Sequence, residues 1–434
     1  MPEESHSFKI DHTLCQGKMA CMRVCPTQAI RVKKGKAELL SELCIDCGSC
    51  LTACPTGAIS ATTRPLKEVW DFKYKVAVPS PVLFSQFPPD VSPGNIIEGL
   101  KTLGFDAVWP FVIEVPLINR AIRDYVEKWK GRYPLISSSC PVVVRLIQVS
   151  YPEMVEQLVP ILPPRELAGR HVKLRYSEKL GISKDEVAAV YVTSCQAKIT
   201  LIADPAERVK SNLDGAISFS DVYNGVLATT YEKKEKDQKL LSENLLHGKE
   251  MLQWSLSRGQ EDNLHDYRYM SLTGLSNIIR AFDDIEKGKL RNIDFLECYA
   301  CWSGCTGGNL TIDNFYLSGR KLQRLIAELP ERDPWVEAEV EKRYPNEDFF
   351  IIKPPLLPIP IKGNRGSLKE RIKRRQQAET LLAALPGLNC GLCGAPNCKT
   401  LALDIASDEA QKTDCIFFSK DRLAMLTKIY LENK

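Results

Sequence analysis

Short apolar runs alternate with helical stretches through the middle of the chain. The runs YKVAV, DAVWPFVI and EVAAVYV lie between positions 74 and 192, and they have the length and the β-branched content of buried strands. Leu275, Ile278, Ile279 and Phe282 recur at helical spacing and predict a helix whose apolar face belongs to the core. Buried strands that alternate with helices predict an α/β domain with parallel sheets and flanking helices.

The two ends of the chain have a different pattern. Near the N-terminus CPTQAI is followed by CPTGAI, and this internal repeat resembles that of the small α+β ferredoxin fold. Beyond the central region the pattern predicts an amphipathic helix over 321–329, a stiff proline-rich linker, and a small, mostly helical module. We expect four segments: a small domain over 1–64, the α/β domain over 65–320, a helix and linker over 321–366, and a last domain over 367–434.

The composition is that of a folded protein with balanced charge. The 434 residues include 58 basic and 54 acidic side chains, so the formal net charge is +4 and favours neither nucleic acid nor a membrane surface as a partner. The first residues lack a basic segment followed by an apolar one, and the sequence has no run of about 18 apolar residues. We expect a cytoplasmic protein without a membrane span.

Sixteen cysteines carry most of the chemical information. They fall at 15–54, at 140 and 195, at 298–305 and at 390–415. In a large chain without a signal sequence, grouped cysteines indicate metal ligands in preference to disulfides.

The clearest motif is CIDCGSCLTACP at residues 44–55. Its spacing, C-x2-C-x2-C-x3-C-P, is that of bacterial ferredoxins and predicts a 4Fe-4S cluster. The small residues Gly48 and Ser49 allow the loop to fold closely around that cluster. In two-cluster ferredoxins the fourth cysteine of each run serves the other cluster. The resemblance therefore assigns to one 4Fe-4S cluster the residues Cys25, Cys44, Cys47 and Cys50.

The upstream copy, CQGKMACMRVCP, keeps three of its four cysteines because Lys18 stands where the second belongs. The crossed pairing leaves Cys15, Cys21 and Cys54 for this site. The sequence leaves open a 3Fe-4S cluster, a 4Fe-4S cluster with a non-cysteine fourth ligand, a cluster with a shifted loop, and a vestigial empty site. Because an ammonium must lose its proton before it binds a metal, Lys18 is not the expected ligand.

Three apolar runs of the central region end at cysteines. PLISSSCP leads to Cys140, EVAAVYVTSCQAK leads to Cys195, and IDFLECYACWSGCTGG leads to Cys301 and Cys305. Ligands of open parallel sheets lie beyond the carboxyl ends of the strands, so these cysteines are expected to converge on one site. Scattered core thiols are the alternative.

These segments resemble the three signature motifs of the iron-only (FeFe) hydrogenases, T-S-C-C-P, P-C-x-x-K and E-x-x-x-C-x-x-G-C. The chain reads SSSCP at 137–141, SCQAK at 194–198 and ECYACWSGC at 297–305, followed by two glycines at 307 and 308. The resemblance implies an H-cluster, in which a 4Fe-4S cluster joins a diiron subsite that carries carbon monoxide, cyanide and an azadithiolate. It also implies that Cys305 bridges the two parts and that Lys198 donates a hydrogen bond to an iron-bound cyanide. The implied ligands are Cys140, Cys195, Cys301 and Cys305.

The motifs also depart from the family. Ser139 stands where the family has the cysteine that relays protons to the diiron subsite, and a hydroxyl is a far weaker acid than a thiol. Ser194, Leu201 and Tyr299 replace further family residues. Cys298 is left without a cluster, either as an inert core thiol or as a substitute proton relay. These departures resemble the low-activity, sensory branch of the family.

Three cysteines of the last group lie in LPGLNCGLCGAPNC, and the fourth is Cys415, further along the chain. The loop resembles the small 4Fe-4S domain of electron-transfer subunits such as those of the Rnf complex and of corrinoid iron-sulfur proteins. Four thiolates suit zinc as well. The expected ligands of a 4Fe-4S cluster are Cys390, Cys393, Cys398 and Cys415.

We therefore expect an iron-sulfur oxidoreductase of the FeFe-hydrogenase family that interconverts H2 with protons and electrons, slowly and in a hydrogen-sensing role. The expected partners are a soluble redox protein (a ferredoxin or another electron-transfer subunit), H2, the maturation proteins of the diiron subsite and a signalling partner. The alternative is an electron-transfer protein that keeps the hydrogenase fold but carries only cubane clusters. An iron-sulfur assembly factor fits less well, because the C-terminal module is typical of electron-transfer chains.

Overall fold

The structure is a computed structural model that describes residues 6–63, 71–205, 210–232, 248–330, 333–361 and 367–418, together with positions 424, 427 and 431. The chain forms two compact units. The first unit combines Met1–Ala61 with Ile359–Lys434, and the second comprises Thr62–Pro358. The two ends of the chain, which were expected to form separate domains, therefore belong to one unit.

The described residues form eleven strands. In chain order they are β1 (Phe8–Ile10), β2 (Ile30–Lys33), β3 (Lys36–Leu39), β4 (Ile59–Ala61), β5 (Tyr74–Pro79), β6 (Ala107–Val108), β7 (Leu135–Ile136), β8 (Val187–Thr193), β9 (Gly215–Ser218), β10 (Tyr269–Thr273) and β11 (Phe295–Tyr299).

The second unit is built on two parallel sheets. One sheet has four strands in the order β6-β5-β8-β9, and the other has three in the order β10-β11-β7. Every residue of β8 and of β11 is buried, as expected of parallel strands that are covered on both faces. The predicted α/β architecture with parallel sheets is confirmed.

The α-helices of the described residues lie between these strands, except for the last four, which follow β11. They are α1 (Ala20–Val24), α2 (Ser49–Ala53), α3 (Pro93–Thr102), α4 (Glu114–Lys128), α5 (Pro141–Ser150), α6 (Pro164–Leu180), α7 (Gln196–Ala203), α8 (Phe219–Glu232), α9 (Glu250–Gln253), α10 (Leu275–Glu286), α11 (Phe315–Glu328), α12 (Pro334–Arg343), α13 (Leu368–Ala384) and α14 (Cys398–Ala406). The helix predicted from Leu275 is α10, and it buries Ile278 and Phe282.

The first unit contains two small modules. In the N-terminal module β1 pairs with β4 and β2 pairs with β3, both antiparallel, and α1 and α2 follow the cysteine loops. In the C-terminal module α13 packs on α14 through a small apolar cluster of Ala378, Leu381, Ala402 and Ala406. The predicted ferredoxin-like and C-terminal iron-sulfur modules are thus present.

The segment 321–366, interpreted as a helix and a stiff linker, contains the predicted helix as the end of α11 and further structure beyond it. Its residues up to Pro358 belong to the second unit and include α12. Val336 and Phe350 are buried, and Ile351 forms a β-bridge with Ile161. A few apolar side chains among many charged ones anchor this segment, and composition alone does not reveal them.

Among the described residues, no helix has both the length and the apolar character that a membrane crossing needs.

Candidate metal centres

The three central motifs place their cysteines beyond the ends of parallel strands. β7 leads to Cys140 and β8 leads to Cys195, and each cysteine is the N-cap of the helix that follows, α5 and α7 respectively. β11 leads to the loop that carries Cys301 and Cys305. Because β7 and β11 share one sheet and β8 belongs to the other, the site draws on the carboxyl ends of both sheets.

The four central thiols lie close enough to oppose one another's ionisation. Burial, and then the neighbouring Cys195 and Cys305 thiolates, raise the pKa of Cys140 to about 11. Burial and the other three thiolates raise the pKa of Cys301 well above its usual value. Metal binding deprotonates such thiols, and two helix N-termini favour the anionic form. Four soft sulfur donors at this place fit an iron-sulfur cluster.

Close backbone packing fixes the loop of the third motif. Gly304 has a φ of +83°, and a Cβ at this position would lie 2.7 Å from the carbonyl oxygen of Ser255. A Cβ on Gly308 would lie 2.6 Å from the carbonyl oxygen of Ser194, and the amide of Leu310 donates to that same oxygen over 3.0 Å. Glycine is therefore required where the third motif crosses the second.

Lys198 lies in the first turn of α7, close to Cys195. Its Nζ lies 3.8 Å from Sγ of Cys305 and 5.8 Å from the ring centroid of Tyr191. Burial by itself lowers the pKa of Lys198, but the negative charges of Cys305, Tyr191 and Cys195 together outweigh it, and the pKa is raised. The side chain is therefore a charged donor for an anionic group beside Cys305.

Ser139 belongs to a hydrogen-bonded group that includes a residue the sequence analysis missed. Its Oγ lies 3.0 Å from Oγ of Ser137, and Nε2 of Gln260 donates to both hydroxyls over 3.1 Å. Gln260 is buried, and within the described part of the chain its Oε1 has no hydrogen-bond partner. An orphaned buried acceptor fits a bound group that carries a donor. No sequence motif marks Gln260, because it lies 121 residues from Ser139.

Glu297, the first residue of the third motif, anchors a second buried network. Its carboxylate accepts from the amides of Arg258 and Gln260 over 2.8 and 3.1 Å, and from the hydroxyls of Tyr269 and Tyr299. Burial raises the pKa of Glu297 despite these donors. The network fixes the side chain of Tyr299, which replaces a methionine of the family.

Cys298 lies in the middle of β11 and is 1% exposed. Burial, followed by the charge of Cys140, raises its pKa well above the usual value. A thiol in this environment releases a proton with difficulty, which supports the inert core thiol. The proton-relay alternative for Cys298 stays a prediction.

The seven N-terminal cysteines form two groups. Burial raises the pKa of Cys50, and the next contributions come from Cys47 and Cys25. Burial also raises the pKa of Cys21, and there the neighbouring thiols that raise it further are Cys15 and Cys54. The two groups border cavities of about 330 and 340 Å³ respectively. The geometry therefore has the crossed arrangement of a two-cluster ferredoxin: Cys25, Cys44, Cys47 and Cys50 surround one cavity, and Cys15, Cys21 and Cys54 surround the other.

The C-terminal cysteines surround a third cavity, of about 300 Å³. Gly391 and Gly394 have φ values of +78° and +84°, which allow the loop to turn between the first two cysteines and the helix α14. Burial raises the pKa of Cys393, with smaller contributions from its cysteine neighbours. The cysteines that border this cavity are Cys390, Cys393, Cys398 and Cys415.

Direct contacts join the two modules of the first unit. The guanidinium of Arg31 donates to both carboxylate oxygens of Asp404, over 2.6 and 2.9 Å, and both side chains are largely buried. The amide of Val32 donates to the carbonyl oxygen of Gly394 over 2.9 Å. A Cβ on Gly394 would lie 2.0 Å from the carbonyl oxygen of Val32. These contacts place the C-terminal cysteine loop against β2.

Parallel α/β sheets, one convergent set of central cysteines and two further cysteine modules define an iron-sulfur protein with several cluster-binding regions. Three family matches agree with this class. Residues 73–230 match "Iron only hydrogenase large subunit, C-terminal domain", residues 7–55 match "4Fe-4S dicluster domain", and residues 385–417 match an Fe-S cluster family. Residues 73–230 are thus similar to the C-terminal domain of the large subunit of FeFe (iron-only) hydrogenases.

Similar proteins include hydrogenases. The NADP-reducing hydrogenase subunit HndD of Solidesulfovibrio fructosivorans is 26% identical over 200 residues, which cover 41% of this chain and 34% of the relative. Iron hydrogenase 1 of Clostridium pasteurianum is 25% identical over 269 residues, which cover 51% and 46% respectively. A variant of FeFe-hydrogenase HydA1 from Chlamydomonas reinhardtii has the same fold, with a TM-score of 0.50 at 16% identity over 68% of this chain and 96% of that one. The chain thus spans less than half the length of these two curated relatives.

Proposed function

We propose that the second unit binds an H-cluster and that the chain interconverts hydrogen with two protons and two electrons. When bound, the H-cluster supplies the hydrogen chemistry through its diiron subsite. The observation that carries the proposal is the ammonium of Lys198, 3.8 Å from Sγ of Cys305. A cubane with four thiolate ligands does not need this half-buried cation, whereas an anionic cyanide beside Cys305 would be stabilised by it.

The residues of the second unit divide into three roles in this proposal. Four cysteines hold the 4Fe-4S part, Lys198 orients the diiron subsite, and Ser139 and Gln260 bind the group that takes up or releases the proton. The orphaned Oε1 of Gln260 supplies an acceptor at that place. The cluster ligands are Cys140, Cys195, Cys301 and Cys305.

We propose slow turnover, which suits hydrogen sensing. The hydroxyl of Ser139 can donate and accept hydrogen bonds, but it is a weak acid compared with a thiol. Replacing Ser139 by cysteine is expected to raise turnover, because a positioned general acid contributes roughly 10²-fold or more. The matched control is Ser138→Cys: the hydroxyl of Ser138 donates instead to the carbonyl oxygen of Ile161, so turnover should not change.

Electrons are proposed to pass between a soluble redox partner and the central domain through the clusters of residues 1–64 and 367–434. A ferredoxin or another electron-transfer subunit has the required chemistry. All 16 cysteines are free thiols in the structure, which is compatible with the reducing cytoplasm in which we place the protein. A signalling partner would be needed to transmit a hydrogen-dependent change.

Infrared spectroscopy tests the proposal. The protein would be produced anaerobically with the diiron maturation proteins, and the stretching bands of iron-bound carbon monoxide and cyanide would be recorded under argon and under hydrogen. Bands that shift under hydrogen would support a hydrogen-responsive H-cluster. Fully iron-loaded protein without such bands would refute the proposed H-cluster and would favour an electron-transfer protein that carries only cubane clusters. The replacements at Ser139 and Tyr299 are also compatible with that alternative.

A further inference from the structure

The site around Cys15, Cys21 and Cys54 has lost one thiolate but not its shape. Each residue of the upstream loop corresponds to the residue 29 positions later, since 44 − 15 is 29 and 54 − 25 is also 29. In this alignment Lys18 occupies the place of Cys47. The two loops can therefore be compared residue by residue.

The backbone of the upstream loop follows that of the intact loop. Met19 begins α1 with φ 63° and ψ 0°, and its counterpart Gly48 begins α2 with φ 72° and ψ 4°. The residues that follow the last turn of each helix agree as well: Cys25 after α1 and Cys54 after α2 both have φ −74° and ψ near 112°. Met19 adopts a left-handed conformation that is strained for a non-glycine residue. The upstream loop therefore keeps the backbone conformation of the loop that carries the complete motif.

The cavity enclosed by the upstream loop has also kept its size. Including the space that is open to solvent, it measures about 340 Å³, against about 330 Å³ for the pocket bordered by four cysteines. Protein interiors are close-packed, so a vestigial site would be expected to collapse or to fill with side chains. Lys18 lies at the border of this pocket, but it is exposed and does not fill it. The amide of Ala37 lies 3.4 Å from Sγ of Cys15 and donates to it, as amides do around a bound thiolate.

We propose that Cys15, Cys21 and Cys54 hold a cubane in which one iron, at the Lys18 corner, has no protein ligand and exchanges with solution. Water or hydroxide completes its coordination. On oxidation the 4Fe-4S²⁺ cluster loses one electron and one Fe²⁺ and leaves 3Fe-4S⁺, with ferricyanide as the acceptor that becomes ferrocyanide. Dithionite and added Fe²⁺ reverse the reaction. The proposal concerns the first unit alone and does not depend on the H-cluster.

An exchangeable iron at this place would affect electron flow to the C-terminal module. The side chain of Val32 borders the cavity, and the amide of the same residue holds Gly394 in the C-terminal cysteine loop. The two cluster sites are therefore neighbours within one unit. Loss of the labile iron would change the redox properties of the cluster next to the C-terminal one, which gives the chain a response to oxidants and to iron supply.

Oxidative titration of the full, anaerobically purified chain tests the proposal. Ferricyanide is added, and the electron paramagnetic resonance signal of 3Fe-4S⁺ and the released iron are measured, followed by ⁵⁷Fe²⁺ with dithionite and Mössbauer spectroscopy. The wild type is expected to give one 3Fe-4S⁺ spin and one released iron per chain, and to take up one ⁵⁷Fe. Lys18→Cys should abolish all three responses, whereas Lys18→Ala should leave them unchanged.

Three results would overturn the proposal. A 3Fe-4S⁺ signal that persists in Lys18→Cys would place the labile iron at another site. A Lys18→Ala variant without the signal would show that Lys18 takes part in the site. A Lys18→Cys variant that gains four irons over the wild type before oxidation would show that the wild-type site is empty. Cys47→Lys, which copies the replacement into the other loop, should add a second spin and serves as the matched positive control.

Discussion

The ion pair between Arg31 and Asp404 should hold the two modules of the first unit together. The guanidinium is 6% exposed and the carboxylate 17% exposed, and two hydrogen bonds of 2.6 and 2.9 Å join them. Removing one partner of a buried pair leaves the other charge unpaired and costs about 3–5 kcal/mol. Because Asp404 retains some exposure, we expect Asp404→Ala to cost about 3 kcal/mol of docking free energy.

Hydrogen exchange at the amide of Val32 measures this loss. That amide donates to the carbonyl oxygen of Gly394 across the module contact, so it exchanges when the contact opens. A loss of about 3 kcal/mol corresponds to about two factors of ten in an equilibrium constant, since each factor is about 1.4 kcal/mol. The amide of Val32 in Asp404→Ala should therefore exchange about 100-fold faster than in the wild type.

Two controls make this prediction specific. Arg375→Ala breaks the ion pair of Arg375 with Glu379 in α13, which is largely exposed, and should leave the exchange of Val32 unchanged. The double variant Arg31→Leu with Asp404→Leu replaces both charges by apolar side chains and should recover much of the protection. If Asp404→Ala left the exchange of Val32 as it is in the wild type, the pair would not hold the modules together.

Three further predictions address single residues. Lys198→Met should prevent stable binding of the diiron subsite, seen as loss of the infrared cyanide bands while iron analysis still shows the central cubane; unchanged bands would contradict the role of the ammonium. Gly394→Ala should loosen the module contact because its Cβ would lie 2.0 Å from Val32 O, whereas Gly387→Ala, at a φ of +69° in open space, carries only the backbone strain and should change the exchange of Val32 little. Burial raises the pKa of Glu297 in the folded protein above its usual 4.5. The carboxyl group of Glu297 therefore makes its full contribution to the free energy of unfolding below about pH 4.5, and this contribution is lost as the pH rises through the raised pKa. Thermal unfolding should therefore show that the wild type loses stability relative to Glu297→Gln over this range, and a constant difference would contradict the shift.

The strands and cluster loops were predictable because their signals are local. The β-branched run before Cys195 indicates a buried strand, and β8 covers Val187–Thr193. The spacing of the cysteines near Cys44 is a property of one loop, and the resulting cavity is bordered by those cysteines. Such patterns need no knowledge of the rest of the chain.

Contacts between distant segments were not predictable from these patterns. Arg31 and Asp404 are 373 residues apart, and each is an ordinary charged residue in its own segment. Gln260 lies in a segment without a motif, and only the fold brings it to Ser139. The pairing of these polar groups is decided by burial, because an unpaired buried group is costly, and burial follows from the packing of both segments at once.

The packing of the first unit implies that the C-terminal module is part of the dicluster module's structure. β2 pairs with β3, and the amide of Val32 bonds instead to Gly394. Without the C-terminal module this edge of β2 would carry an open amide, and Arg31 would lose its carboxylate partner. The same residue, Val32, borders the cavity of the three-cysteine site. The module that brings a further cluster to the chain therefore also stabilises the wall of the site where we infer a labile iron, so both sites depend on one contact.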